Sequence, residues 1–78
     1  MKERIEKITE EAEKMLANPQ FNLRSLDPWL KLEREIVKEG LDFGDHFVVL
    51  VFNIYNAYGK LKIISKQREY ANKCQKLR

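Results

Sequence analysis

Residues able to do acid–base, nucleophilic or metal chemistry are few in this chain and stand far apart. It has one cysteine, Cys74, and one histidine, His46, separated by 28 positions. One thiol and one imidazole make no zinc ligand set. Asp42 and Asp45 flank Gly44 in a spacing faintly like a calcium loop, but the further oxygen ligands and terminal glutamate of an EF-hand are missing. Helix capping is their simpler use. Glu33, Glu35 and Glu39 with Asp42 and His46 can be drawn as an acid–base set. Carboxylates on an amphipathic helix are ordinarily a solvated face, however, and no glycine-rich phosphate loop is present. A chain of 78 residues also has little room for a substrate pocket of the usual several hundred Å³. No enzyme activity, cofactor, metal or small-molecule substrate is expected.

The chemistry that remains is charge. Residues 60–78 carry seven basic and one acidic side chain, net +6, against net −1 for 1–20, net −2 for 21–45 and none in 46–59. A basic module therefore follows a nearly neutral body. Lys60, Lys62, Lys66, Arg68, Lys73, Lys76 and Arg78 can meet phosphates, and Tyr70 can stack on a base, so nucleic acid is one candidate partner. The other use of such a segment is structural: it balances helix dipoles and the acidic middle of the chain, and keeps the surface soluble. A third reading, a basic amphipathic helix on anionic lipid, is limited by the modest apolar face of Ile64, Ala71, Cys74 and Leu77.

The rest of the chain must position that module. Its length bounds it to one domain, 1–78, with a thin core. Hydrophobic residues make up 44% and charged residues 35%, with only three glycines and two prolines, which favours a globular helical protein. A single cysteine excludes an intramolecular disulfide and suits a reducing, cytoplasmic setting. The opening MKERIEKITEEAEK is too charged for a signal core. The longest uncharged run, His46 to Gly59, has 10 apolar residues among 14, too short to span a bilayer.

Periodicity supplies the elements. Ile5, Ile8, Ala12, Met15 and Leu16 share one face of a helix over 2–17, with Glu3–Lys7 and Glu10–Lys14 as supporting pairs. Asn18-Pro19 ends it. A connection over 18–25, anchored by Phe21 and Leu23, has room for a short helical turn. Asp27 then suits an N-cap and Pro28 the first helical position. That helix runs to about Glu39, with Trp29, Leu32 or Leu30, Ile36 and Val37 inward and Gly40 as its left-handed C′ residue. After a turn at 41–45, where Asp42 or Asp45 can cap, residues 47–58 are ambiguous. Their β-branched and aromatic content suits a strand leading to a hairpin at 56–60. Phe47, Leu50, Val51, Ile54, Ala57, Tyr58 and Leu61 fall at helical spacing, and a buried helix is favoured. Gly59 loosens a helix by about 1 kcal/mol relative to Ala. A break within 59–64 and a last helix capped by Ser65 follow, with one continuous helix as the alternative. The expected fold is all-α, an antiparallel four-helix bundle whose uncharged third helix is packed on by the other three.

The segments KLEREI (31–36), FVVLVFNIYNAY (47–58) and GKLKIISKQREY (59–70) resemble the immunity proteins that protect lactic acid bacteria from pediocin-like (class IIa) bacteriocins. Tyr58, Lys60, Leu61, Ser65 and Gln67 stand in places comparable to that family's junction between an aromatic-rich third helix and a fourth. The resemblance implies a cytoplasmic, non-enzymatic antiparallel four-helix bundle at the inner face of the membrane. It would shield the sugar-transporting permease that serves as bacteriocin receptor, so the partner is that membrane protein or its complex with the bacteriocin. In the family the C-terminal part decides which bacteriocin is resisted, which here points to Lys60, Lys62, Lys66 and Arg68. Tyr70 and Lys73 complete the candidate binding set.

Overall fold

The computed structural model describes residues 2–42 and 44–77, the side chains of residues 2 and 13 apart. The protein is all-α: α1 spans Lys2–Ala17, α2 Asp27–Lys38, α3 Gly44–Lys60 and α4 Ile64–Leu77, with a 3-10 turn at Leu23–Leu26 between α1 and α2. No strand occurs among the described residues. The strand alternative at 47–58 therefore gives way to helical periodicity, because a helix places six large or small apolar residues of that run on one buried face. Phe47, Leu50, Val51, Ile54, Ala57 and Tyr58 are all buried there. Leu61 is only partly buried and closes the set from the loop side.

α3 is the hub. It contacts α4 most extensively, then α1, then α2. Around it one apolar cluster gathers Ile5 and Ala12 from α1, Phe21 from the connection, Leu26 from the 3-10 turn, and Trp29, Leu32 and Ile36 from α2. Tyr70 is the one buried residue of α4, with Cys74 half-buried beside it.

Local boundaries follow backbone bonding. α1 stops at Ala17, and the Asn18 side chain accepts from the Gln20 amide at 2.9 Å in a turn around Pro19. The pairs Glu3–Lys7 and Glu10–Lys14 do not close; among the described residues the ion pair of α1 reaches across to α2, from Arg4 to Glu35 at 2.7 Å. The Arg4 guanidinium holds the Glu35 carboxyl below its ordinary value.

Asp27 is not the N-cap expected for α2. The 3-10 turn, itself capped by Asn22, runs straight into the helix, so Asp27 is already helical (φ −52°, ψ −46°) and its N–H bonds the Arg24 carbonyl. Leu26 stands at the cap position without a side-chain bond, and Pro28 keeps a place in the first turn. Val37, expected inside, is 49% exposed, and Glu33 is buried instead. The inner stripe is Trp29, Leu32, Glu33 and Ile36, spaced i, i+3, i+4, i+7. Phe43, in the expected turn at 41–45, lies outside the described residues, and Asp45 falls in the first turn of α3.

α2 and α3 end in the same way. At α2 the Gly40 amide bonds the Val37 carbonyl and the Leu41 amide bonds the Ile36 carbonyl. This paired closure needs a left-handed residue, and Gly40 supplies it at φ 72°. At α3 the Lys62 amide bonds Gly59 and the Ile63 amide bonds Tyr58. The left-handed residue here is Lys62, at φ 60°. The break thus falls at 61–63, inside the expected interval, and Gly59 itself stays helical. Ser65 is not the cap, because the closure at 62–63 lets α4 begin at Ile64 and leaves Ser65 inside its first turn.

A left-handed conformation disfavours a residue with a Cβ by roughly 1–2 kcal/mol, partly offset in glycine by its greater unfolded-state entropy. Lys62→Gly is therefore expected to stabilise the domain by about 0.5–1 kcal/mol, read as a raised urea midpoint. A lowered midpoint would mean that the Lys62 side chain stabilises this turn.

Candidate binding surface

The six candidate residues divide into two groups by what the fold does with them. Tyr70 and Lys73 are held. Tyr70 is 6% exposed, and its hydroxyl donates to Glu33 Oε1 at 2.5 Å. Lys73 Nζ donates to Glu33 Oε2 at 2.8 Å and lies 4.7 Å from the centre of the Tyr70 ring. Tyr58 adds a tilted aromatic contact with Tyr70, 5.6 Å between centroids. One carboxylate on α2 thereby fastens α4, while the two tyrosines fasten α4 to α3.

Helix spacing explains the arrangement. Tyr70 and Lys73 are three residues apart on α4 and so share a side. Glu33 lies four residues after Trp29 and three before Ile36, inside the apolar stripe of α2. A carboxylate so placed must be hydrogen-bonded or paired, and the two donors come from 37 and 40 residues downstream. Burial and the bond to Glu33 push the Tyr70 phenol well above its ordinary value; burial also raises Tyr58. Tyr70 is thus hidden from any base that would stack on it, and Lys73 already has its carboxylate.

Lys60, Lys62, Lys66 and Arg68 form the second group. All four are exposed. Lys60 ends α3, Lys62 occupies the left-handed turn, and Lys66 lies in the first turn of α4. Among the described residues, Lys60, Lys62 and Arg68 make no ion pair, and Lys66 has an exposed pair with Glu69 at 3.2 Å. Such a pair contributes at most about 1 kcal/mol. Arg68 is two residues from Lys66, and two helical steps rotate it by about 200° to the other side of α4. The junction cations are therefore Lys60, Lys62 and Lys66, with Arg68 apart. Arg78 lies outside the described residues.

Dipole balance accounts for only part of this charge. Lys60 at the C-terminal end of α3 and Lys76 in the last turn of α4 sit where the helix dipole favours a cation. Lys62 and Lys66 stand at the N-terminal end of α4, where the dipole disfavours one. The first turn of α4 contains no acidic residue. Positive side chains and the first amides of a helix together make an end that attracts anionic groups.

Glu33 is the member that a reading of acidic residues as a solvated face overlooks. Its signal was the apolar stripe it interrupts. No group of three or more His, Cys, Asp or Glu side chains able to hold a metal ion occurs among the described residues, and no described helix is long and apolar enough to cross a membrane. Compared with protein-family models, with curated proteins and with solved structures, the chain matches none.

Proposed function

We propose that this chain is a non-enzymatic binding protein, most concretely a cytoplasmic immunity protein of the pediocin-like bacteriocin type. It would be an antiparallel four-helix bundle acting at the bacteriocin receptor, or at the receptor's complex with the bacteriocin. The observation that carries the proposal is a pair of exposed cations, Lys62 and Lys66, that the fold holds by no more than an exposed ion pair from Lys66 to Glu69. Lys62 is kept where glycine is conformationally cheaper. Lys66 is kept where the helix dipole favours a carboxylate. Stability alone favours neither residue, whereas recognition of an acidic partner face favours both. The three-residue connection between α3 and α4 and the paired closure at α2 support sharp reversals of direction, as a bundle of antiparallel neighbours requires.

The resemblance in residues 31–36 and 47–70 selects the immunity reading among binding proteins. Expression in a sensitive bacterium, challenged with a panel of pediocin-like bacteriocins, tests it. Survival against some members and not others is the expected result, and uniform killing would contradict it. The nucleic-acid reading makes a different prediction: phosphate binding through several lysines loses decades of affinity over a few-fold rise in salt. Burial of Tyr70 removes the stacking residue on which that reading drew.

A further inference from the structure

Between Asp45 and Lys60 the outward face of α3 carries no charge. Asp45, Val49, Phe52, Asn56 and Lys60 follow one another at gaps of four, three, four and four, and so share one stripe of the helix. Val49 is 37% and Phe52 46% exposed. Phe52 stacks on Tyr55 at 6.1 Å between centroids. Val48, Val49, Phe52 and Cys74 line a shallow groove here, and Phe52, Tyr55, Ala71, Cys74 and Gln75 line an adjoining one. α4 borders Phe52 and α1 borders Val49, yet both side chains stay more than a third exposed, an apolar surface that packing by the chain's own helices leaves uncovered.

We infer that this face is a self-association surface that takes the α3 of a second copy of the chain in antiparallel register. Charge placement selects both occupant and direction. Asp45 lies seven residues before Phe52 and Lys60 eight after it, about 11 and 12 Å along the helix. Neither makes an ion pair among the described residues. Antiparallel pairing centred on Phe52 brings each copy's Asp45 opposite the other's Lys60, giving two equivalent ion pairs at the ends of an apolar centre. Parallel pairing would set Asp45 against Asp45 and Lys60 against Lys60. A surface that complements itself under a two-fold rotation closes as a dimer. One helix face with its flanking grooves is small, so the dimer is a reversible one. Lys62 and Lys66 are not in the stripe and stay available in the pair.

Sedimentation velocity over a micromolar-to-millimolar range tests this, with circular dichroism confirming that each variant is folded. The wild-type chain is expected to shift from monomer to dimer as concentration rises, and Phe52→Glu to remain monomeric. Asp45→Lys and Lys60→Asp are each expected to weaken the dimer by about tenfold or more. The swap variant Asp45→Lys/Lys60→Asp should recover most of the lost affinity, because it restores both pairs with reversed sign. A wild-type chain monomeric throughout would overturn the proposal and leave this face to a different protein. A dimer indifferent to Phe52→Glu, or single and swap variants that weaken alike, would place the interface elsewhere and also overturn it.

Discussion

Ile54→Ala is expected to cost about 2–5 kcal/mol, enough to leave much of the chain unfolded at ambient temperature. Ile54 is fully buried at the middle of α3, the helix that every other helix contacts. Truncation loses apolar area that folding had removed from water and opens a cavity in the core around α3. The domain has little reserve, since native proteins are stable by only about 5–15 kcal/mol and small ones lie toward the low end. Val49→Ala, on the opposite side of the same helix, is the control. It should change stability by no more than about 0.5 kcal/mol, because Val49 is already partly in water. Urea unfolding of both variants reads the contrast. Equal midpoints would mean that α3 is not the centre of the core.

The second large effect is expected at Glu33 and Tyr70, and it has a distinctive signature. Tyr70→Phe removes a hydrogen bond to a buried carboxylate, worth about 1.5–3 kcal/mol. Glu33→Leu leaves the Tyr70 hydroxyl buried without its acceptor, a cost of about 1–3 kcal/mol. The double variant removes both polar groups together and sets leucine against phenylalanine, so it should lie near wild type. Lys73 adds little, because its side chain is 43% exposed and water replaces the carboxylate, at a cost of up to about 1 kcal/mol. Additive single effects in this cycle would show that the two side chains are not coupled.

The same contact sets a pH dependence. The folded phenol of Tyr70 titrates above its unfolded value of 10.0. Its contribution is therefore fully present below that pH and is lost as pH rises from there toward the folded value. Wild-type stability should fall in alkali above about pH 10, and Tyr70→Phe should flatten that fall.

Much of the fold was legible in periodicity. The bounds of α1, the glycine closing α2 and the buried face of α3 all follow from apolar spacing and one positive-φ position. At 47–58 the β-propensity of valine and aromatic side chains was overridden by that spacing, since tertiary burial outweighs intrinsic preference. The two caps were misplaced for a common reason. Asp27 and Ser65 are good cap types, but a cap is defined by the backbone before it. A 3-10 turn had already made Asp27 helical, and the left-handed Lys62 let α4 begin before Ser65. The exchange of Val37 for Glu33 on the inner face of α2 has a different origin. Burying Glu33 depends on donors supplied by α4, and no local pattern contains them.

The candidate surface was legible only as a count of cations. The sequence shows seven basic residues after Gly59 but not which of them already have partners. That distinction is tertiary: Lys73 meets Glu33, Tyr70 turns inward, and helix geometry sends Arg68 away from Lys66. What remains exposed at the junction is Lys60, Lys62 and Lys66, and of these Lys62 and Lys66 are the pair proposed for recognition.

Protection by the Lys62→Glu/Lys66→Glu chain, measured beside wild type in a sensitive bacterium, is the most direct test of that assignment. The variant should fold, because Lys66→Glu places a carboxylate in the first turn of α4, where the dipole favours it. The expected result is selective survival with the wild-type chain and none with the variant at equal expression. Full protection by the folded variant would contradict the assignment and reduce the junction cations to a solubilising surface.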